Sequence, residues 1–509
     1  MGGRVLAEWV AECWRNIHLY IAAALEADEH DISVLDCQVY MDEFITWKWG
    51  GRNIFGTPWT KLAQEIRQLS PDIVGISNQF TIQLDCTVEV AKIVKGIDRD
   101  IVTVVGGNHA SILPNSFFRV TDCVDIVCMG EGELRLPEVI RCLEGNKKLE
   151  DVNGIAFRKN GVIVISKQGP FLTNQELNGL PFPAYHLIPM DRYFRLQKKG
   201  YYARGQYEYS GSHRAVSMIT SRGCPYGCTF CSIHLHMGRG YRTHSVSNVL
   251  DHIELLTSRY GVRHIHFEDD NLTLNRRRFN KLLDGLLERK FGITWGTPNG
   301  VRADLLPKEL IAKSKDTGCT HFVIGVESGK QTNIDRFVKK KLRLEKVEQT
   351  ARVCKKLGLD LGAFFIIGFP QETIDDMQTT LDFALKLERK YDVFLILSVL
   401  KPLIGTEVYK EAQKKEYFIE DVTHATMAAS IAVSGIIETE NFTRSDVARL
   451  TRGFYRRHKC LILKKMTRFF LQHPKGLVRL IDNLRCSPDR KQTLRLAMTY
   501  TNCLIRDFE

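Results

Sequence analysis

The chain has 509 residues, 44% of them hydrophobic and 26% charged. At about 100–200 residues per domain this length predicts two to four domains, and the composition excludes a wholly disordered chain and a collagen-like one. The formal net charge of +12 is uneven, because residues 451–509 hold 14 Lys or Arg against 4 Asp or Glu. The basic character belongs to this C-terminal tail. Nucleic-acid binding is disfavoured, because no recognised nucleic-acid-binding fold accompanies the charge.

The sequence shows no sign of membrane insertion or export. No stretch reaches the roughly 18 uninterrupted apolar residues that a spanning helix needs. The first residues, MGGRVLAEWVAECWRN, carry two Glu and no long apolar run, which does not fit a secretory signal. The 14 Cys are far from the density of a disulfide scaffold. We therefore expect a cytoplasmic protein.

The first part of the chain alternates short apolar runs with helical patterns. Its predicted strands are apolar nearly throughout, as parallel strands buried on both faces are; they lie at 32–36, 73–77, 101–105 and 125–128. Strands that alternate with helices predict a doubly wound α/β sheet, in which ligands bind beyond the carboxyl ends of the strands. An Asn-Gly pair at 160–161 then predicts a tight hairpin turn.

A second β/α series follows a connecting segment. Six strands are predicted, at 216–220, 264–268, 293–297, 322–326, 362–367 and 394–399. Six repeats without a seventh and eighth predict a partial barrel, whose chemistry collects at the carboxyl ends of its strands. We therefore divide the chain into an α/β domain at 1–150, a hairpin and linker at 151–212, the barrel at 213–405 and a helical, basic region at 406–509.

Three cysteines directly after the first barrel strand carry the clearest chemical signal. Cys224, Cys228 and Cys231 have the spacing Cys-x3-Cys-x2-Cys, in a loop rich in Gly and Pro. Zinc normally takes four protein ligands, and His234 and His236 nearby keep zinc open as an alternative. A 4Fe-4S cluster with three cysteine ligands would leave one iron available to a substrate or cofactor.

The triplet, with the aromatic Phe230 before its last cysteine, matches the signature of the radical S-adenosylmethionine (radical SAM) superfamily. The chain resembles the branch of that superfamily that carries a cobalamin-binding domain. Segments at the predicted ends of the second, fourth and fifth barrel strands match it, at 267–273, 324–329 and 364–373. N-terminal segments match the cobalamin part, at 72–77, 105–109 and 130–133. The resemblance covers roughly residues 18–405 and implies a Rossmann-like cobalamin domain followed by a partial (β/α)6 radical SAM barrel.

The resemblance also implies a set of site residues, although no catalytic residue is assigned. Cys224, Cys228 and Cys231 would hold a 4Fe-4S cluster whose open iron binds S-adenosylmethionine. The expected S-adenosylmethionine contacts are Phe230, Glu268, Asp269, Asn271, Glu327 and Ser328, although the carboxylates fit a salt-bridged barrel rim as an alternative. The expected cobalamin contacts are Ser77, Asn78, Gly106, Gly107, Asn108, Gly130 and Glu131.

Two departures from the branch concern the N-terminal domain. The motif Asp-x-His-x-x-Gly, whose His replaces the lower ligand of cobalt, is absent, so no protein histidine is expected on cobalt. The branch usually begins with an apolar strand followed by Asn-Pro-Pro, whereas residues 1–17 are predicted to be helical. The sheet is therefore expected to lack its first strand.

The leading hypothesis is a cobalamin-dependent radical methylase of a small or lipid-like molecule. One S-adenosylmethionine would donate methyl to cobalt, and a second would make the radical that activates the substrate carbon. Residues at the barrel mouth that could contact the substrate are Trp295, Asn299 and Arg302. A small electron donor such as a flavodoxin or ferredoxin would reduce the cluster. The strongest similarity within the branch is to methylases of small natural products, such as hydroxyethylphosphonate methylases.

Three other functions are weighed against this one. A radical oxidative cyclase or rearrangement enzyme, similar to the anaerobic porphyrin cyclases, shares the same architecture. RNA methylthiolation would need a second cysteine triplet in the N-terminal domain, where the cysteines are dispersed. A metal-stabilised binding module would use the basic tail to hold an anionic partner or a membrane surface. For the tail itself, we favour a helix that packs its apolar face on the barrel.

Overall fold

The computed structural model describes residues 4–9, 17–37, 46–49, 52–198, 212–423, 426–427 and 435–472. The strands within these residues are β1 (Arg4–Trp9), β2 (Asp31–Asp36), β3 (Thr46–Trp49), β4 (Arg52–Phe55), β5 (Ile73–Ser77), β6 (Val102–Gly106), β7 (Ile126–Cys128), β8 (Ile155–Lys159), β9 (Val162–Ile165), β10 (Ala215–Met218), β11 (Ser221–Arg222), β12 (Arg242–Thr243), β13 (His264–Phe267), β14 (Thr294–Val301), β15 (Cys319–Glu327), β16 (Asp360–Ile367) and β17 (Phe394–Val399).

The helices are α1 (Ile17–Ala27), α2 (Trp59–Leu69), α3 (Leu84–Ile97), α4 (Asn108–Ile112), α5 (Asn115–Val120), α6 (Gly132–Leu143), α7 (Asn174–Gly179), α8 (Met190–Lys198), α9 (Ile233–His236), α10 (Val246–Tyr260), α11 (Arg276–Arg289), α12 (Lys308–Asp316), α13 (Gln331–Asn333), α14 (Leu344–Leu357), α15 (Ile374–Tyr391), α16 (Glu407–Lys414) and α17 (Arg444–Gln472). Each strand predicted from the sequence overlaps an observed one.

The N-terminal sheet has the strand order β2-β1-β5-β6-β7-β8-β9. The expectation that its first strand is missing is wrong, because β1 pairs in parallel with both β2 and β5. The run Arg4–Trp9 contains Leu, Ala and Glu, which favour helix, but the preference of a short segment is weak. Hydrogen bonding to two neighbouring strands outweighs it and places the segment inside the sheet.

The hairpin after β7 belongs to the same sheet. Asn160 and Gly161 have φ angles of 50° and 78°, the left-handed values that a tight hairpin turn requires. Strand β8 pairs antiparallel with β7, and β9 pairs antiparallel with β8. The sheet therefore continues beyond residue 150, where the sequence places the end of the first domain.

The second sheet is the predicted partial barrel. Its six strands follow one another in chain order, β10-β13-β14-β15-β16-β17, and each adjacent pair is parallel. Helices lie between successive strands from β10 to β17, as β/α repeats require. Directly after β10, the short strands β11 and β12 form a separate antiparallel ribbon.

Successive side chains along a barrel strand point alternately into the barrel and towards the helices, so only half of them can face the interior. Trp295 is completely buried, and its ring lies edge-on to Phe267, to Phe322 and to Phe279 of α11. It therefore belongs to the layer between strands and helices, because successive strand residues point to opposite faces. Its predicted place among the substrate contacts is wrong for this reason.

The C-terminal helix α17 packs on the barrel. His458 lies 2.8 Å from Glu388 of α15, and Lys465 pairs with Asp392 at 2.9 Å. Phe454 joins the apolar core of the barrel. This is the arrangement expected for the start of the basic tail; residues 473–509 lie outside the described residues. No helix in the described ranges is long and apolar enough to cross a membrane.

Candidate functional site

The cysteine loop follows β10 and begins with a close backbone turn. Gly223 has φ of +79°, and a Cβ atom there would lie 2.3 Å from the carbonyl oxygen of Gly240. Only glycine fits such an approach. Cys224, Cys228 and Cys231 are free, half-buried thiols, and the amide of Cys231 donates to the carbonyl of Cys228 at 3.1 Å. The loop thus brings the three sulfurs to one end of the barrel.

The electrostatics of these thiols suit a positively charged metal cluster. Burial raises the pKa of Cys231 to about 12, and it raises the pKa of Cys224 and of Cys228. The thiolates of Cys224 and Cys228 raise the pKa of Cys231 further, whereas Lys340 lowers that of Cys228. Thiolates become stable here when metal binding displaces their protons. Any bound cation would have this effect; the number of ligands, three cysteines, is what fits a 4Fe-4S cluster with one open iron.

No group of three His, Cys, Asp or Glu in the described part of the chain is arranged about a single metal ion. Three thiols that surround a cluster do not need that arrangement, because each binds a different iron.

A π-helical turn that follows β15 contacts the cysteine loop. The hydroxyl of Thr229 donates to the carbonyl of Phe337 at 2.7 Å, within a π-helical turn at Ile334–Val338. The guanidinium of Arg302 lies 3.9 Å above the ring of Tyr226 and donates to the carbonyl of Lys340 at 2.7 Å. Such turns occur frequently at functional sites. Arg302 therefore holds the cysteine loop, which places it beside the loop and not free at the mouth.

The acidic residues after β13 hold the same loop from the other side. Both oxygens of Asp269 accept from Thr220, at 2.8 Å from the hydroxyl and 3.1 Å from the amide, and Asp269 also contacts the Ser221 hydroxyl. Asp270 accepts from the amide of Gly223 at 3.0 Å. Burial raises the pKa of Asp269, although Arg278 and these hydrogen bonds oppose the shift. Asp269 is buried and Asp270 is half-buried, and both anchor the strand end that leads into Cys224.

Asn271, which also follows β13, has a side-chain acceptor that no other group within the described residues uses. Its side chain is buried and hydrogen-bonds the sulfur of Cys224, but its Oδ1 atom has no hydrogen-bond partner. A buried acceptor without a donor is costly, so this atom fits a donor on a ligand bound beside Cys224. Glu268 accepts from Ser217 at 3.2 Å, and Asn299 donates to the carbonyls of Glu268 and Asp269.

The fourth strand end contains a buried ion pair. Glu327 has φ of +68°, unusual for a residue other than glycine, and its Oε1 lies 2.6 Å from Nζ of Lys340. A Cβ atom on Gly325 would lie 2.4 Å from the same Nζ, so this glycine makes room for the pair. Ser328 hydrogen-bonds Thr380 of α15 at 3.1 Å. Glu327 thus lies close enough to the cysteine loop for its charge to act on Cys228, whereas the hydroxyl of Ser328 is hydrogen-bonded to α15.

Phe230 packs against the fifth strand end. Its ring lies edge-on to that of Phe369, with 6.0 Å between centroids. Glu372 accepts from the amides of Gly368 and Phe369 at 2.7 and 3.0 Å. Complete burial raises the pKa of Glu372 to about 8. This carboxyl fixes the turn on which Phe369 is placed.

A cleft of about 750 Å³ lies at the carboxyl ends of β5, β6 and β7. Six of the predicted cobalamin residues line it, namely Ser77, Gly106, Gly107, Asn108, Gly130 and Glu131. Gly107 has φ of +117°, and a Cβ atom there would lie 2.4 Å from the carbonyl oxygen of Asn78. Gly106, Gly107 and Gly130 contribute no side chains to this cleft, so its floor is largely backbone, which suits a large flat ligand. Asn78 does not line it, and its amide donates to Thr87 at 2.7 Å beneath the floor.

Several lining residues were not predicted. His18 and Ile21 come from α1, Glu133 from the start of α6, and Arg222 and Met237 from the barrel side. Glu133 lies within the segment 130–133 that was matched to the cobalamin part, so a signal for it existed. The other four depend on the packing of distant elements, which no local pattern reveals. His109 is not among the lining residues; its ring nitrogens lie 3.1 Å from the hydroxyls of Thr81 and Ser116.

Comparisons with known proteins agree with this geometry. Residues 218–384 match the family model of the radical SAM superfamily, and residues 4–140 match that of the B12 binding domain. An uncharacterized methyltransferase of Pyrococcus horikoshii is 30% identical over 447 residues, 86% of this chain and 87% of the relative. Cytidylyl-2-hydroxyethylphosphonate methyltransferase of Streptomyces wedmorensis is 28% identical over 78% of this chain and 77% of its own length.

Solved structures share the fold. The cobalamin-dependent S-adenosylmethionine radical enzyme OxsB with aqua-cobalamin bound has a TM-score of 0.68 at 18% identity, over 97% of this chain and 75% of that one. The radical S-adenosylmethionine methyltransferase TsrM of Kitasatospora setae has a TM-score of 0.64 at 16% identity, over 81% of this chain and 75% of that one. The predicted family is confirmed: the chain belongs to the radical SAM methyltransferases that carry an N-terminal B12-binding domain.

Proposed function

We propose that the chain is a cobalamin-dependent radical SAM enzyme that methylates an unactivated carbon of a small molecule. One observation supports this above the others. The cleft of the B12-binding domain is bounded on its barrel side by Arg222, and Arg222 lies only two residues before Cys224. A methyl carrier in the cleft and a radical source at the cysteine loop would therefore adjoin one another.

The chemistry divides between the cofactors and the chain. When bound, the cluster and S-adenosylmethionine supply a carbon radical, and cobalamin supplies the methyl group; the chain positions them and excludes competing reactions. The unpartnered Oδ1 of Asn271 can accept a hydrogen bond from the amino group of S-adenosylmethionine beside Cys224. The paired rings of Phe230 and Phe369 provide an apolar wall. Gly106, Gly107 and Gly130 line the cleft without side chains and would leave its backbone open to a corrin face.

Methylation is favoured over cyclisation by the extent of similarity. The two methyltransferases above match 78–86% of this chain. The anaerobic magnesium-protoporphyrin IX monomethyl ester cyclase of Rubrivivax gelatinosus matches 64% of this chain and 56% of its own length, at 26% identity. A hopanoid C-3 methylase of Methylococcus capsulatus, 22% identical, keeps a lipid-like substrate open. Within the proposal, the substrate class is therefore a small phosphonate-like or lipid-like molecule.

The experiment that tests the proposal uses anaerobically purified full chain, reconstituted with iron, sulfide and a cobalamin. We expect about four irons per chain and bound cobalt, with 5′-deoxyadenosine formed after addition of S-adenosylmethionine and a reductant. Cys228→Ala should lose the nucleoside and most of the iron. The control Cys460→Ala changes an exposed cysteine on α17 and should keep both.

The outcomes separate the alternatives. Zinc in place of iron, with no nucleoside, would overturn the radical reaction and favour the metal-stabilised binding module. Iron and nucleoside without bound cobalt would overturn the methylase and leave another radical enzyme. Retention of iron and nucleoside by Cys228→Ala would contradict the assignment of the cysteine loop.

The partners and location of the chain belong to the same proposal. A reduced flavodoxin or ferredoxin is the expected electron donor, and the cytoplasm, where thiols stay reduced, is the expected location. Contact of the basic tail with a membrane surface rests on the charge of residues 451–509. Salt-dependent binding to anionic vesicles that is lost on deletion of residues 473–509 would support that contact, and unchanged binding would contradict it.

A further inference from the structure

Four charged side chains, three buried and one half-buried, join the two domains; we call them the bridging ion cluster. They are Glu131 and Glu133 of the B12-binding domain and Arg222 and Arg242 of the barrel. Arg222 donates to Glu131 at 2.9 Å and to Glu133 at 2.7 Å, and Arg242 donates to both oxygens of Glu131 at 2.7 Å. The two arginines lie opposite each other in the β11–β12 ribbon, so one short element presents both.

The bridging ion cluster is withdrawn from water. The side chains of Glu131, Glu133 and Arg222 are exposed by 4% or less, and that of Arg242 by 12%. Burial alone would disfavour the charge of Arg222, but the carboxylates of Glu133 and Glu131 outweigh it and raise the pKa of its guanidinium. Apolar residues could join two domains at lower desolvation cost, so stability alone does not account for a buried ion network of this kind.

The position of the network relates it to both cofactor sites. Its carboxylates lie where the segment 130–133 turns into α6, at the edge of the cleft. Arg222 lies two residues before the first cysteine of the cluster loop. Arg242 also donates to the carbonyl of Met237, which lines the cleft from the barrel side, at 2.9 Å.

Glu131 and Glu133 differ in whether both of their carboxylate oxygens have hydrogen-bond partners. Both oxygens of Glu131 are engaged, because the amide of Leu172 also donates to its Oε2 at 2.6 Å. Glu133 uses only Oε1, and its Oε2 has no hydrogen-bond partner among the described residues. The residue lines the cleft, although its side chain has no surface open to water. A buried carboxylate oxygen without a donor is costly, so a ligand that supplied a donor would be favoured here. The periphery of cobalamin offers such donors in its primary carboxamide groups.

We propose that the carboxylate of Glu133 turns towards the cleft when cobalamin binds, so that Oε2 accepts a hydrogen bond from a carboxamide N–H of the cofactor while Oε1 holds Arg222. Cobalamin binding and order of the cysteine loop then reinforce each other. The inference rests on the proposed function. By thermodynamic linkage, the iron–sulfur cluster should then tighten cobalamin binding by a certain factor, and cobalamin should tighten retention of the iron–sulfur cluster by the same factor.

The test measures the dissociation constant of hydroxocobalamin by equilibrium dialysis, with and without the reconstituted cluster. The ratio of the two constants is the coupling factor. We expect wild-type coupling of about tenfold, since allosteric couplings commonly lie between 5- and 150-fold. Glu133→Gln should weaken cobalamin binding about tenfold and reduce the coupling factor to about one. Iron retained under a chelator, with and without cobalamin, provides the reciprocal measurement.

Controls keep the outcome interpretable. Glu138→Gln alters a half-exposed carboxylate on the same helix, outside the cleft, and should behave like wild type. Arg222→Lys keeps the positive charge but cannot reach both carboxylates in the same way, so it should lower the coupling factor while the chain stays folded, as checked by circular dichroism.

Two results would overturn the inference while the proposed function stands. One is a wild-type coupling factor of one. The other is Glu133→Gln with wild-type affinity and coupling. A wild-type chain that binds no cobalamin at all would instead overturn the cobalamin part of the proposed function.

Discussion

The strand ends of the two sheets are built in opposite ways. In the B12-binding domain, glycines and small polar residues leave an open cleft, and the backbone itself forms the floor at Gly107. In the barrel, the corresponding ends are filled with buried charged side chains, such as Asp269 and the pair of Glu327 with Lys340. A large flat ligand needs space and close backbone approach, whereas a loop that holds a cluster needs fixed geometry. The polar residues at the barrel mouth therefore serve mainly to fix the loop.

The largest expected effect is a loss of iron from the cysteine loop of the barrel. Asp269→Ala removes the acceptor of Thr220 and Ser221 in front of Cys224. Hydrogen bonds to a charged group contribute about 1.5–3 kcal/mol each, so iron retained after reconstitution should fall about tenfold or more. Cobalamin affinity measured before reconstitution, when no iron–sulfur cluster is present, should stay near the wild-type value. Asp382→Ala, in an exposed pair on α15, is the control and should keep its iron; equal loss in both variants would contradict the anchoring role.

Glu327→Gln should show how strongly the barrel depends on its buried charge. The change leaves Lys340 buried without its anion, which typically costs about 3–5 kcal/mol. Denaturant unfolding measures the loss. The double variant Glu327→Gln with Lys340→Met removes both charges and should recover most of the stability. Equal stability of the single variant and the wild type would show that water already compensates the pair.

Gly107→Ala breaks the cleft alone. A Cβ atom there meets the Asn78 carbonyl, and a φ of +117° is strained for alanine by about 1–3 kcal/mol. Cobalamin affinity should fall about tenfold or more, while iron retained in the absence of cobalamin stays at the wild-type value. Gly96→Ala, where the new methyl group meets nothing within 4 Å in α3, should change neither quantity. Loss of iron from Gly107→Ala when no cobalamin is present would contradict the separation of the two sites.

A smaller effect concerns pH and the fifth strand end. The pKa of Glu372 is about 8 in the folded chain, against an ordinary value of 4.5. The folded chain therefore holds a proton that the unfolded chain has released, and the free energy of unfolding should fall as pH rises from 4.5 to 8. The slope is at most about 1.4 kcal/mol per pH unit. Glu372→Gln should flatten this dependence, whereas Glu309→Gln, an exposed control on α12, should leave it unchanged.

The sequence predicts much of this architecture, and its failures share a cause. Apolar runs and amphipathic periods located the strands and helices, and the cysteine spacing located the cluster loop, because these signals are local. β1 was misassigned because its partners β2 and β5 lie far along the chain. Trp295 was wrongly assigned to the mouth because a shift of one residue along a strand decides whether a side chain faces the barrel interior or the helices. The contacts of Arg222 with Glu131 and Glu133 span about 90 positions, and no periodicity reports them.

The β8–β9 hairpin has a consequence for solubility. It places a short strand, β9, at one edge of the seven-stranded sheet, with Val162 65% exposed and Ile165 44% exposed. An apolar edge strand is a template for pairing with another chain and hence for aggregation. Here the edge is only four residues long and begins directly after the tight turn at Gly161. A brief, sharply turned edge offers few hydrogen bonds to an incoming strand, which protects this side of the sheet.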